Sequence, residues 1–369
     1  MIQGQLPRFT VESKFNRRSC HRFTMYVFRA PRDDLSVLFS VRAGMQGGPR
    51  AAMARAVAAE AVGFDQIWTG NDFLGRSGLI GLAAAATATT TIKLGVGVVD
   101  PVTLHPGQIA AIASELQTLS DGRFLLGIGA GSDVFYGHAG IATPSPVRRT
   151  REGVAAVKAL LKGDSPANDP LAGHGWSDLG RLEHVPADPP PVYVGAMGPK
   201  MLQLAGRIAD GALPLCLPPS RFLRARALIE AGAGEHGRDL AGFDLVACIW
   251  CSIGDDAELA RVHLARHIAQ YSGSLSPEAL AEEGLDPAEF QMVQRVVLEE
   301  GLDAGTRAVT ASMLTLGVYG GPDQVLEQIE ALVKQGVQHV SLGPPMGPDL
   351  NEALAVFGSK VLPDARRLL

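Results

Sequence analysis

The sequence predicts an α/β protein of the (β/α)8 barrel class, and three observations carry that prediction. Short apolar runs alternate with longer helical patterns from Leu35 to Leu342, and strands that alternate with helices pair in parallel. Eight such runs can be counted, the number that closes a barrel. The runs are apolar almost without interruption, as strands buried on both faces are. An open, doubly wound sheet is the competing architecture. It would carry a Gly-x-Gly-x-x-Gly turn behind its first strand, and the chain has Gly47-Gly48-Pro49 there instead.

Taken in order, Leu35 to Val41 is the first strand, and the helix after it presents Met53, Val57 and Ala61 on one face. Phe64 to Trp68 is the second, running into Gly70-Asn71-Asp72-Phe73 and a helix through Leu79 to Ala88. The third strand, Ile92 to Val99, is the stretch around which the rest is organised. Its β-branched residues are broken only by Gly95 and Gly97, and it ends in a polar corner of Asp100, Thr103 and His105 between Pro101 and Pro106. Glycine inside a strand weakens it and marks a bulge or a close approach to the backbone. In a parallel α/β protein this corner lies at the carboxyl end of a strand, where such folds place their chemistry. It is therefore the expected floor of the active site.

Pro106 opens the next helix, which stops near Ser120-Asp121-Gly122. Strand four is Phe124 to Ile128, ending in the glycine run Gly127, Gly129 and Gly131. Its helix carries Val154, Val157, Leu160 and Leu161 and stops at Gly163. Residues 164–190 are rich in Pro, Gly, Asp and His, show no period, and read as a loop over the site mouth. Strands five to seven fall at 192–195, 211–215 and 245–251. Residues 272–315 add helical material beyond the repeat, so insertions are expected after strands four and seven. The last helix, with Val325, Ile329, Leu332 and Val333, ends at Gly336, and the last strand runs from 337 to 342 into Gly343-Pro344-Pro345.

Barrels often use 369 residues as one domain, so residues 33–369 are expected to form a single catalytic unit. Residues 1–32 differ. Arg8, Lys14, Arg17, Arg18, Arg22, Arg29 and Arg32 face one acid, Glu12, without periodicity. This reads as a disordered extension, or as translation assigned too far upstream with Met25 the true start.

Hydrophobic residues make up 46% and charged ones 19%, which supplies a large core and excludes disorder. The net charge of −5 gives no reason to propose nucleic acid or an anionic membrane as partner. The longest apolar run, Gly78 to Ala88, is too short to span a bilayer. Four cysteines in a chain this long point to a reducing, cytoplasmic setting. Cys248 and Cys251 form a Cys-x-x-Cys pair, but on a strand, where positions three apart face opposite ways. They read as core cysteines.

The strand ends are rich in glycine, at Gly97, Gly129, Gly131, Gly195, Gly198 and Gly343. Bare backbone suits a flat ligand lying against main chain, with amides free for anionic groups. Gly195-Ala196-Met197-Gly198-Pro199-Lys200 joins strand five to a helix whose first amides favour an anion. A plain turn with Pro199 at the first helical position and a solvated Lys200 explains the same residues. No metal set is visible, since His263 and His267 sit four apart without a third ligand. Polar residues expected near the mouth are Arg42, Asn71, Asp72, Asp100, Thr103, His105, Ser132 and Asp133.

Several stretches in their joint order carry a resemblance. They are Trp-Thr-Gly-Asn-Asp-Phe (68–73), Gly-Val-Gly-Val-Val-Asp-Pro-Val-Thr-Leu-His-Pro (95–106) and Gly-Arg-Phe-Leu-Leu-Gly-Ile-Gly-Ala-Gly (122–131). Val-Tyr-Val-Gly-Ala-Met-Gly-Pro-Lys-Met (192–201), Ala-Asp-Gly-Ala (209–212) and His-Val-Ser-Leu-Gly-Pro-Pro-Met-Gly-Pro-Asp (339–349) follow. Together, across Leu35 to Pro363, the chain resembles the luciferase-like barrel superfamily, above all the coenzyme F420-dependent branch that includes methylenetetrahydromethanopterin reductase.

The resemblance implies a non-prolyl cis peptide in strand three, at Gly97-Val98, with the bulge through Val99 backing a deazaflavin ring. It implies cofactor phosphate binding at Gly195, Ala196, Met197 and Gly198, with Gly129 and Gly131 in the same wall. Asn71 and Asp72 align with a polar pair beside the ring. The expected activity is hydride transfer between F420 and a small organic substrate, with Asp72 or, second, His105 handling the proton. An FMN-dependent monooxygenase of the same superfamily is the alternative, and a barrel that holds a flavin-like ligand without turnover is a third reading. A homodimer is implied as well. Strand one of the reductases carries a glutamate near the pterin, where this chain offers Ser40 and Arg42, and that departure argues against a pterin substrate.

Overall fold

The computed structural model describes residues 37–142, 145–214 and 217–368. The basic segment 1–32 and the first residues of the expected first strand lie outside the described residues. In chain order the elements are β1 (Leu38–Arg42), α1 (Pro49–Ala61), β2 (Gln66–Thr69), α2 (Gly78–Ala86), β3 (Lys93–Val99), α3 (Pro106–Leu119) and β4 (Phe124–Ile128). Then follow α4 (Asp133–His138), α5 (Pro146–Leu161), β5 (Val192–Gly195), α6 (Pro199–Ile208), β6 (Gly211–Leu213) and α7 (Phe222–Gly234). After β7 (Asp244–Leu245) and β8 (Ala247–Ile253) come α8 (Ala257–Tyr271), α9 (Pro277–Glu282), α10 (Pro287–Glu300) and α11 (Leu302–Ala308). The chain closes with β9 (Gly317–Gly320), α12 (Pro322–Lys334), β10 (His339–Met346), α13 (Leu350–Val356) and α14 (Leu362–Ala365).

The strands form one ten-stranded parallel sheet in the order β7-β6-β5-β4-β3-β2-β1-β10-β8-β9. β7 and β8 are separated by Val246 alone, yet β7 pairs with β6 and β8 with β10. The run 244–253 therefore joins the two flanks, and the sheet curls round on itself. Both faces are covered, which is why β4 and β8 are buried at every residue.

Proline sets many of the helix starts. Pro49, Pro106, Pro146, Pro199 and Pro322 all stand at the first helical turn, where a missing N–H costs nothing. At the other end, Gly163 (φ 83°) and Gly336 (φ 91°) take the left-handed turn that ends α5 and α12, the latter releasing the chain into β10.

Inside the curl sits a cluster of Trp68, Leu125, Tyr193, Leu213, Val246 and Cys248, with Val98 against it. The outer core lies between sheet and helices and contains Cys251 and Ile249. The two cysteines thus face opposite sides of β8, and burial pushes their thiols up to about 11 for Cys248 and about 12 for Cys251. They are no redox pair.

Two expectations need correction, the second only in part. β9 was not anticipated: Gly-Val-Tyr-Gly is too short and too flanked by glycine to register as a strand, and it forms because the C-terminal half of β8 offers it an edge. Of residues 164–190, read as a loop over the site mouth, the part at Trp176 is found on the strand-end side and the part at His184 to Asp188 is not. The segment runs along α3 and α5, held by Ser114 Oγ donating to His184 O (3.0 Å) and Gln117 Nε2 donating to Asp188 O (2.8 Å). Trp176 reaches back to the strand-end side, its ring 5.2 Å from that of His105. Among the described residues, no helix is long and apolar enough to cross a membrane.

Candidate active site

A cavity of about 170 Å³ opens at the C-terminal ends of the first three strands. The end of β1 contributes Arg42, Ala43 and Gly44, and the end of β2 contributes Trp68, Thr69 and Gly70. Gly97 of β3, Leu213 of β6 and Pro344 of β10 complete it. Among the described residues Arg42 is its only charged lining residue.

β3 breaks register against β4 between Val96 and Val99, and the Gly97-Val98 peptide there is cis, as the resemblance implied. Pro344-Pro345, on the opposite wall, is cis too. The bulge explains the neighbouring glycines. A Cβ on Gly129 or Gly195 would stand 2.7 or 2.9 Å from the Val98 methyls, and one on Gly127 would run into Val96 O. The bare ends of β4 and β5 are therefore filled by Val98 itself. Gly95 gives way to the Trp68 ring, Gly131 to Tyr136 and Gly343 to the Arg42 guanidinium. Of the strand-end glycines read from the sequence, Gly198 meets nothing within 4 Å, and Gly97 meets only Leu213 and Trp68, at 3.4 and 3.5 Å.

Gly198 caps α6 without a side chain. On this turn the Ala196 amide donates to Leu213 O (3.1 Å), so Ala196 is a structural member. The amides of Met197, Gly198 and Lys200 have no acceptor among the described residues. Met197, Gly198 and Lys200 are all exposed. Free amides at the positive end of a helix, around an empty Cβ position, make a cradle that fits a phosphate.

The loop behind β2 places Asn71 and Asp72 beside the cavity. Asp72 is exposed, and its Oδ2 lies 3.7 Å from where a Cβ on Gly70 would stand. Asn71 Oδ1 accepts from Ser77 Oγ (3.1 Å), so it braces the start of α2. Asp100 is buried and serves its own corner: it accepts from the amides of Val102 (3.0 Å) and Thr103 (2.6 Å) and from Thr103 Oγ1 (2.6 Å). His105 caps α3, its Nδ1 accepting from Gly107 N (3.1 Å), which leaves Nε2 to carry the proton. The side chain of Asp133 lies outside the described residues.

At the other end of the interior the polar groups are matched. His339 Nδ1 contacts Asp244 Oδ2 at 2.9 Å, its Nε2 meets Ser40 Oγ at 2.8 Å, and Tyr193 donates to Asp244 Oδ2 at 2.9 Å. Burial alone would raise Asp244, but His339, the Tyr193 hydroxyl and the Lys93 charge hold its carboxyl below the usual range. Among the described residues no group of three His, Cys, Asp or Glu could hold a metal. His267, half of the spaced pair, is buried between the rings of Trp250 and Tyr271, and desolvation with the Arg42 charge lowers it to about 4.

A family model for luciferase-like monooxygenases matches residues 35–339. The chain belongs to the luciferase-like monooxygenase family. It is 33% identical over 312 residues to the 5,10-methylenetetrahydromethanopterin reductase of Archaeoglobus fulgidus, covering 83% of this chain and 92% of that one. It is also 30% identical over 340 residues to an F420-dependent glucose-6-phosphate dehydrogenase of Nakamurella multipartita, covering 88% and 95%. The structure of the coenzyme F420-dependent tetrahydromethanopterin reductase of Methanopyrus kandleri matches with a TM-score of 0.81 at 28% identity, covering 89% of this chain and 99% of that one. An F420-dependent secondary alcohol dehydrogenase in complex with an F420–acetone adduct shares the fold, with a TM-score of 0.71 at 24% identity and coverage of 90% and 99%.

Within this luciferase-like frame, sequence reasoning found the bulge and the Gly198 turn but missed Leu213 and Pro344. Nothing in a short apolar strand or a Pro-Pro pair says which way it faces. It also missed the His339–Asp244–Tyr193 network, whose members are separated by up to 146 positions and meet only when the sheet curls.

Proposed function

We propose that this protein is a coenzyme F420-dependent oxidoreductase that passes a hydride between the deazaflavin and a small organic substrate. The observation that carries this reading is the 30% identity, across 88% of the chain, to a dehydrogenase named as F420-dependent, together with the structural match to an F420-dependent reductase. Bound F420 would supply the hydride chemistry. The chain's own residues supply stacking surface, position and exclusion of water.

On this reading the ring lies along Gly97, Val98 and Val99, and the phosphate sits at Met197 and Gly198, with Gly195, Ala196, Gly129 and Gly131 shaping the wall behind. Asp72, at the rim beside Gly70, handles the proton that accompanies the hydride, with His105 Nε2 as the second candidate. The architecture is read as a (β/α)8 barrel of residues 33–369 with insertions after its fourth and seventh strands, acting as a homodimer.

The test is a parallel titration of purified apo-protein with F420 and with FMN, followed by fluorescence. Submicromolar F420 binding without an FMN response supports hydride transfer. Preference for FMN overturns it in favour of an oxygen-dependent monooxygenase, and binding of neither removes the functional reading altogether.

A further inference from the structure

Among the described residues Arg42 is a cation without an anion: it makes no ion pair with a described carboxylate, and no described acidic residue lines the cavity it borders. Of its five N–H donors, the structure records one in use, Nη2 to Ile249 O at 2.6 Å. Its Nε is buried with no partner. The Thr69 hydroxyl, on the neighbouring strand end of the same cavity, is buried and without a partner too. Burying a charge or a polar group without a partner is costly, and each such group calls for an explanation, of which a bound ligand is one. The fold makes room for this arrangement, since a side chain on Gly343 would displace the guanidinium.

The cavity has two kinds of wall. Gly97 and Leu213 offer backbone and hydrocarbon on the side of the β3 bulge, and β6 lies next to the strand that feeds the Gly198 turn. Arg42, Ala43, Gly44 and Pro344 stand on the other side, at the end of β1, just beyond it and on β10. Resting on the F420 reading above, which assigns the first wall to the cofactor, we propose that Arg42, aided by Thr69, binds an anionic group of the substrate, and that the substrate is a small organic acid, carrying a carboxylate or an equivalent oxyanion. A guanidinium presents parallel donors that match a carboxylate in a way an ammonium does not.

The experiment uses benzoate and its neutral isostere benzamide as probes. Each is titrated by calorimetry into the apo-protein and into the F420-saturated protein, for the wild type, Arg42→Gln and Arg42→Lys. The wild type is expected to hold benzoate roughly tenfold or more tightly than benzamide. Arg42→Gln should erase that preference while leaving F420 affinity within about twofold, and Arg42→Lys should keep part of it. Circular dichroism of each variant separates a lost site from a lost fold. Equal binding of the two probes by the wild type overturns the proposal. So does a preference that survives in a folded Arg42→Gln protein, or a loss of F420 affinity in its place, which would make Arg42 a cofactor contact. Failure of the wild type to bind F420 strikes the functional reading instead, and shows in a different titration.

Discussion

The two ends of the strands treat their polar groups in opposite ways. At the N-terminal ends, side chains claim the strand amides. Phe39 N donates to Asp65 Oδ2 (2.8 Å), Ile92 N to Glu60 Oε1 (3.0 Å), Phe124 N to Gln117 Oε1 (3.1 Å) and Val192 N to Asp210 Oδ2 (2.9 Å). Arg123 uses four donor contacts to satisfy Thr89 Oγ1 and the carbonyls of Ala86, Thr89 and Ile92. At the C-terminal ends, Arg42 Nε, Thr69 Oγ1 and Ser252 Oγ are buried without partners among the described residues, and the Gly198 turn shows amides with no described acceptor. A satisfied end stabilises the fold, whereas an unsatisfied end is poised for a ligand. The contrast is not complete, since Asp100 at the end of β3 is satisfied and Arg207 Nε, ahead of β6, is not, but it favours the C-terminal ends as the place for a ligand.

The largest effect should come from breaking the satisfied end. Asp244→Ala leaves the His339 Nδ1, in a side chain 1% exposed, without its acceptor and should cost about 3 kcal/mol in urea unfolding. F420 affinity, measured on the folded variant, should stay within about twofold. An unchanged unfolding midpoint would show that the network is ornamental and that the contrast between the ends is not energetic.

Next comes a pair of glycines that looks equivalent in sequence. Gly129→Ala places a methyl 2.7 Å from Val98 and should cost about 1–3 kcal/mol by overpacking. Gly198→Ala meets no atom and keeps an ordinary φ of −97°, so its stability cost should be about 0.5–1 kcal/mol, that of replacing glycine with alanine at a helix cap. Its F420 affinity should nevertheless fall roughly tenfold, because the methyl projects where the phosphate is placed. Reversed outcomes would relocate the cofactor to the β4 end.

This pair also shows how far the sequence could be read. Alternation of apolar runs with helices was enough for the parallel sheet, because burial on both faces leaves its mark residue by residue in β4 and β8. The bulge was legible because Gly95 and Gly97 interrupt β-branched residues. The reason for Gly129 and Gly195 was not, since it lies in the Val98 side chain, one and two strands away in the sheet and up to 97 positions away in sequence. Arg42 was legible as a polar residue near the mouth and as a departure from the family pattern. Its lack of an ionic partner among the described residues is a property of the folded interior.

The acid limb of stability should sharpen the contrast at smaller cost. Burial would raise Glu60, but the amides of Ile92, Thr91 and Thr90 and the Thr91 hydroxyl bring it from 4.5 to about 2. A carboxyl lowered on folding stabilises fully above its unfolded value and loses that contribution as pH falls towards its folded one. Stability should therefore decline from about pH 4.5 towards 2, and Glu60→Gln should flatten that segment. His267, lowered from 6.5 to about 4, has the same sign because the unfolded chain takes up the proton first, so its share is lost between those values. His267→Phe should remove the upper segment alone.

The smallest effect on stability belongs to the residues proposed to move a proton. Asp72 is exposed and no side chain is recorded holding its carboxylate, so Asp72→Asn should change stability by no more than about 0.5 kcal/mol. With F420 bound and substrate present, it should lower the hydride-transfer rate about 100-fold, the lower range for loss of a general acid or base. His105 needs a different substitution, because alanine would remove the α3 cap along with the imidazole. His105→Asn keeps an acceptor for Gly107 N and discards the titratable ring. If Asp72→Asn loses the rate and His105→Asn keeps it, the proton is assigned to the rim behind β2 and His105 is a cap. If the losses are exchanged, the polar corner behind β3 carries the proton, and the ring edge of F420 must face His105 Nε2 instead of Gly70.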